Sequence, residues 1–202
     1  SYPDNVAAAF DQPTGTFDDL ATELVYEHKT RTVSWWGVYE DVGTDFRADL
    51  GFMPRVDYRF GEVGTAYTWN ATATSWYSRI DLELELNHSE DQAGGLLDQA
   101  AEVRLTVQGP LESNIEVEPT HRREGYDGRE FEMDALALSF SLKPSRDLQA
   151  WIAVAAGGQL DYTNVQQGDA VNLDLGIVYR LGRHLRRLAR VGGEIRGAED
   201  GP

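Results

Sequence analysis

The residues best suited to chemistry are scattered along this chain. Its four histidines, His28, His88, His121 and His184, lie far apart in sequence. None has the i, i+4 partner or Cys-x-x-Cys neighbour that marks a metal site, so each reads as a surface or loop residue. There is no cysteine, which removes thiolate nucleophiles, thiolate ligands and structural disulfides. Neither a G-x-S-x-G elbow, nor a Walker loop, nor a dinucleotide fingerprint occurs. No enzymatic activity, metal or cofactor is therefore expected. A Ser/His hydrolase of the outer-membrane kind, assembled only in space, is the catalytic alternative.

The carboxylates Asp81, Glu83 and Glu85 invite a glycosidase-like reading. Catalytic carboxylate pairs usually come from different strands at a set separation, with one acid held protonated by its surroundings. Three on one face of one strand read instead as a wet wall. Arg104, Asp174 and Arg180 occupy the same kind of position in their own segments, each flanked by apolar residues. The acidic stretch from His88 to Asp98 reads as a solvated loop.

These side chains need strands to hold them. In Ile80-Asp81-Leu82-Glu83-Leu84-Glu85-Leu86 apolar and acidic residues alternate strictly, which separates them onto two faces of a strand and would smear both around a helix. Ala101 to Val107 repeats the pattern, turns at Gly109-Pro110 and resumes through Ile115 and Val117. Leu136, Leu138, Phe140 and Leu142 alternate with Ala137, Ser139 and Ser141 until Lys143-Pro144-Ser145. Leu148, Ala150, Ile152, Val154 and Ala156 share one face, and Val171, Leu173, Leu175, Ile177, Tyr179 and Leu181 share another. The amino-terminal third reads as a hairpin, Leu24 to Lys29 and Val33 to Asp41 about Thr30-Arg31. Runs at Val56 to Phe60, Val63 to Trp69 and Trp76 onward then continue the meander. The count is roughly 9–10 strands, several as long as the ~9–11 residues that cross an outer membrane.

Composition permits that reading and excludes others. The net charge is −16 and the pI about 4.5, opposite to what nucleic-acid phosphates require, so no nucleic-acid partner is expected. Mean hydropathy is −0.45, and no run approaches the ~18 apolar residues of a membrane helix. A β-barrel needs only every second strand residue to be apolar and is compatible with such an average. Ser1 to Asp11 contains no basic segment followed by an apolar one, so no secretion signal is legible. Trp35, Trp36, Tyr67, Trp69, Trp76, Tyr77, Tyr162 and Tyr179 fall near proposed strand ends, as an interfacial aromatic girdle would. Connections at Gly109-Pro110 and Lys143 to Ser145 look tight. Those at His88 to Gly95, Arg122 to Gly128 and Asp161 to Gly168 look longer, the alternation of turns and loops that outer-membrane barrels show.

The stretch Thr44-Asp45-Phe46-Arg47-Ala48-Asp49-Leu50-Gly51-Phe52-Met53-Pro54-Arg55-Val56-Asp57-Tyr58-Arg59 resembles the signature of a large uncharacterised family of bacterial outer-membrane proteins. Gly158 to Asn164 and Leu181-Gly182-Arg183-His184-Leu185 resemble that family's late hairpin. Family members join an amino-terminal domain like the family 9 carbohydrate-binding modules to a carboxy-terminal barrel. The resemblance covers most of residues 20 to 185 and implies the barrel portion alone. Read without the family, Gly51 and Pro54 would interrupt a ladder, making Asp45 to Arg55 a turn or bulge. Arg47, Asp49, Arg55, Asp57 and Arg59 would then supply charges able to pair across a lumen.

The expected fold is thus all-β: an antiparallel up-and-down transmembrane barrel, or a fragment of one, occupying 1–202. Irregular segments are expected at 1–20 and at 186–202, where Arg186-Arg187-Leu188-Ala189-Arg190 loses the alternation. The expected function is that of an outer-membrane pore, transporter or anchor for a surface or periplasmic domain. Leu82, Leu84, Leu138, Phe140, Ile152, Leu173 and Ile177 would face lipid. Asp81, Glu83, Glu85, Arg104, Asp174 and Arg180 would face a lumen. Expected partners are outer-membrane lipid, further barrel strands and envelope proteins. The alternative is a soluble β-sandwich binding carbohydrate, for which this segment offers no aromatic platform, since Trp35 and Trp36 point to opposite faces.

Overall fold

The structure, a computed structural model, describes residues 19–47, 55–181 and 185–198. Ten strands form one antiparallel sheet in chain order, each paired with its predecessor: β1 (Ala21–Lys29), β2 (Val33–Val42), β3 (Tyr58–Asn70), β4 (Arg79–Glu90) and β5 (Leu96–Gly109). They continue as β6 (Ser113–Tyr126), β7 (Arg129–Leu142), β8 (Leu148–Asp161), β9 (Gln166–Leu181) and β10 (Leu185–Ala198). The one helical element among the described residues is the 3₁₀ turn Pro110–Glu112. Among the described residues no second layer covers either face, and β1 and β10 are not paired with each other. The sheet they form is an up-and-down meander whose edge strands are β1 and β10.

The alternating runs are the strands, because period-2 patterning keeps like residues on one face through every hairpin. Several boundaries differ from the sequence reading. Val56 to Phe60 and Val63 to Trp69 belong to a single strand, β3, since Gly61 and Glu62 stay in register with Tyr39 and Val38. Trp76 lies in the connection before β4, which starts at Arg79. Residues 185–198 form β10 rather than an irregular tail. Its alternation is hidden by arginines on both faces, yet Leu185 to Ala198 pair residue for residue with Leu181 to Gly168. Residues 1–18, within the expected irregular amino-terminal segment, lie outside the described residues, as does His184.

The expected contrast between short turns and long loops does not hold. Arg122 to Tyr126 is strand, and the β6–β7 hairpin turns on Asp127-Gly128 alone. Both turn residues have positive φ, 50° and 71°. This is the combination that a two-residue type I′ turn needs, and glycine meets it without a Cβ penalty. His88 to Glu90 likewise completes β4, and only 91–95 turn before β5. The longest connection joins β2 to β3 across residues 43–57. Polar composition at these places marked strand ends rather than loops.

Side-chain shielding divides the faces. Val42, Met133, Ala170 and Val178 are the buried apolar residues, and register places all four on the same side of the sheet. The other side carries Val63 (58% exposed), Leu86 (56%), Leu84 (43%) and Ile177 (45%). With no covering layer among the described residues, curling of the sheet is what shields one face from water. We call that side the inner face and its opposite the outer face.

Candidate functional site

Following the register strand by strand assigns every sequence-derived candidate. On the outer face one row runs Trp35, Thr65, Leu84, Val103, and another Val117, Leu138, Val154, Leu173. Leu82, Phe140, Ile152 and Ile177 occupy neighbouring outer rows. All seven apolar candidates therefore share one face. On the inner face the same alternation brings Asp81, Glu83, Glu85 and Arg104 together, with Asp174 and Arg180 on β9. The six charged candidates share the opposite face.

The outer face is an apolar belt. On β9 it extends from Val171 to Tyr179, about 26 Å along the strand at ~3.3 Å per residue. Tilted as barrel strands are, that gives a height of about 20 Å, close to the ~25 Å apolar band of outer-membrane barrels. At the end of the sheet holding the β1–β2 and β3–β4 connections, aromatic rings edge the belt. Tyr26 stacks on Trp35 at 4.6 Å, Tyr67 meets Trp69 at 4.5 Å, and Trp76 meets Tyr77 at 5.7 Å. Tyr179 lies at the same end, whereas Tyr162 sits at the other, against Tyr126. Trp36 is on the inner face and is not part of this edging.

Beyond the belt, at the opposite end, the outer face becomes charged. Arg59 pairs with Glu90 at 2.9 Å, His121 Nδ1 with Asp134 at 2.8 Å, and Arg123 with Glu130 at 2.5 Å. Arg59 was expected to pair across a lumen, but it sits in the outer-face row beside Glu90. His88 and His121, far apart in sequence and read as loop residues, both come from strands and line one depression of about 680 Å³ over Gly61 and Ala101. Among the described residues no group of three or more His, Cys, Asp or Glu is arranged to hold a metal ion. Of the motif residues, Gly51, Phe52 and Pro54 lie outside the described residues, as does Asp49. Asp45 lies in a turn with Thr44 that the Phe46 N–H closes by donating to the Gly43 carbonyl, and the Asp45 N–H donates to Asp19. The Thr44 hydroxyl donates to Asp57 at 3.0 Å, joining the two ends of this connection; Arg47 and Arg55, within the motif, border its residues that lie outside the described ones.

The inner face from β3 to β6 is a charged carpet. Arg104 is its hub, donating to Glu83 and Glu118 at 2.7 Å each and also to Glu102. Arg79 holds Asp81 through two bonds, 2.6 and 2.7 Å, and Asp81 also accepts from Thr68. Glu85 stands in the same row between Gly64 and Glu102. Half-buried carboxylates on adjacent strands repel one another unless a cation is shared among them, and Arg104 serves three. No spacing rule reveals this hub, because its partners come from three strands.

Two further inner-face sites repeat one arrangement. Trp36 is directly opposite Gly64, and its indole N–H donates to Glu62 at 2.9 Å. Trp151 is directly opposite Gly176, and its N–H donates to Asp174 at 3.4 Å. A Cβ at either glycine would overlap the facing indole ring. Each ring therefore lies flat over a glycine and is tethered by the carboxylate two residues before it. Asp174 also receives Arg190 bidentately, at 2.8 and 2.9 Å. The signal for both clasps is Glu-Val-Gly (62–64) and Asp-Leu-Gly (174–176), legible only once a tryptophan is known to sit opposite.

From β7 to β9 the carpet gives way to small residues. Ala135, Ala137 and Ser139 face Gly157, Ala155 and Ala153. Cavities of about 620 and 140 Å³ open over them. No family model, curated protein or solved structure matches the chain.

Proposed function

We propose that this chain forms part of the wall of a transmembrane β-barrel in a bacterial outer membrane, serving as a pore, transporter or anchor. One observation carries the reading: the sheet is inside out for a protein folded in water. Its apolar face is the uncovered one, and its curled-in face holds the salt bridges. Folding in water is driven mainly by removing apolar surface from solvent, and soluble proteins rarely leave a contiguous apolar patch of this extent open. In a bilayer the same arrangement places Leu84, Leu138, Ile152 and Leu173 against acyl chains and Arg104 with its acids against water. The aromatic edge at one end and the charged band at the other match the two interfaces.

Backbone groups at an open sheet edge have no partner in hydrocarbon, and each unsatisfied group costs several kcal/mol. In the membrane β1 and β10 must therefore be paired, with each other or with further strands.

The test is partitioning of the purified chain between buffer and detergent micelles or lipid vesicles, with far-ultraviolet circular dichroism in each. Cooperative β-structure that appears only with amphiphile supports the reading. A monomeric, cooperatively folded β-protein in plain buffer overturns it and moves the chain to the soluble class, where sugar binding becomes the assay of choice.

A further inference from the structure

The inner face is not uniform, and its asymmetry bears on passage. Positions facing inward on β3 to β6 carry the long side chains Glu62, Glu83, Glu85, Glu102, Arg104 and Glu118, with Arg104 ion-paired to Glu83, Glu102 and Glu118 and Glu62 held by the Trp36 indole. In the three inner rows that lie between Met133 at one end and Trp151 at the other, β7 to β9 carry nothing larger than asparagine. One row runs Glu116, Ser139, Ala153, Asp174, Gly192, and the next Glu118, Ala137, Ala155, Asn172. The result is a trough along the strands whose larger cavity, about 620 Å³, lies in the size range of small-molecule sites.

The walls of the trough differ in charge state. On its β9 side Asp174 is neutralised by the bidentate Arg190. On its β6 side Glu118 is held by Arg104. Glu116, one row away and directly opposite Ser139, is half-buried, lines the cavity, and makes no hydrogen bond or ion pair among the described residues. An inward-facing hollow floored by alanine, serine and glycine, with one uncompensated carboxylate beside it, is what a passage needs to admit water and favour positive charge.

We infer that the trough over β7 to β9 is a water-filled path along the inside of the wall, and that Glu116 makes it prefer small polar cations over anions. This rests on the membrane-wall reading and deepens it: it makes the chain part of a conduit rather than an anchor alone.

The absence of native cysteine makes a direct test available. Single cysteines at Ser139 and Ala153 (trough floor), Ala66 (carpet half of the inner face) and Leu138 and Val154 (outer face) are introduced in the full chain refolded into vesicles. Each is treated with a cationic trimethylammonium and an anionic sulfonate methanethiosulfonate reagent, and rates are normalised to those in denaturant. Ser139→Cys and Ala153→Cys are expected to react readily while Leu138→Cys and Val154→Cys are protected by lipid. Ala66→Cys is expected to react more slowly than the floor positions because long side chains crowd it. At Ser139→Cys the cationic reagent should be favoured by about tenfold, the ratio that one full charge at roughly 6 Å in water produces between unlike and like ions. Adding Glu116→Gln should lower that ratio by about threefold or more, whereas removing the neutral pair whole, Asp174→Asn together with Arg190→Gln, should not lower it. Reactive outer-face cysteines would sink the membrane-wall reading itself. Protected outer-face cysteines with equally protected floor cysteines, or a charge ratio indifferent to Glu116→Gln, would overturn the trough alone.

Discussion

Leu84→Arg separates the membrane reading from every water-soluble one by a margin that can be computed from position. Leu84 is the third of four outward apolar residues on β4, between Leu82 and Leu86, and stands in register with Thr65 and Val103. That places it near the middle of the belt, on a face that no other described element covers. It is 43% exposed, so in water an arginine there would displace few contacts and alter stability by no more than ~0.5 kcal/mol, the usual range for surface changes. At a bilayer midplane the same substitution costs ~2–4 kcal/mol. At ~1.4 kcal/mol per decade, that lowers the folded-to-unfolded ratio by roughly 30-fold to 700-fold. The adjacent residue supplies the control. Glu85 faces inward between Gly64 and Glu102 and has no cationic partner of its own in the hydrogen-bonded network. Glu85→Gln therefore removes repulsion without breaking a pair and should leave stability unchanged or slightly higher. The assay is reversible urea unfolding in vesicles followed by tryptophan fluorescence. A Leu84→Arg cost under ~0.5 kcal/mol in lipid, or equal costs at positions 84 and 85, would refute the face assignment.

Three other outcomes follow from the inner face and a turn. Gly64→Ala and Gly176→Ala should each cost ~1–3 kcal/mol as the new methyl group displaces the facing indole. Adding Trp36→Ala or Trp151→Ala should recover part of that cost, a coupling that a double-mutant cycle in vesicles measures directly. Arg104→Met leaves Glu83, Glu102 and Glu118 without their shared cation. Because the Arg104 side chain is 37% exposed, solvent screening limits the loss to ~1–2 kcal/mol, read by urea unfolding in vesicles. Gly128→Val forces a β-branched residue to φ near 71° and should cost ~1–2 kcal/mol, read as a lowered refolding yield and midpoint while Asp127→Asn is tolerated.

The alternation of apolar and polar residues was sufficient to predict a meander of antiparallel strands, and to divide Leu82, Leu84 and Leu138 from Asp81, Glu83 and Arg104. Side-chain direction in a strand has a period of two set by local backbone geometry, so no distant information is needed. Where the pattern faltered, the reading did too. Residues 185–198, with arginines on both faces, look irregular alone and become a strand only because β9 offers them a ladder. The polar stretch Arg122 to Tyr126 reads as loop until the two-residue turn at Asp127-Gly128 pairs it with β7. Which face curls inward, which carboxylates share Arg104, that Trp36 and Trp151 rest on glycines, and that a trough opens over Ala137 and Ala155 all depend on neighbours many residues away. Strand register brings those neighbours together, and register is a property of the assembled sheet rather than of any segment within it.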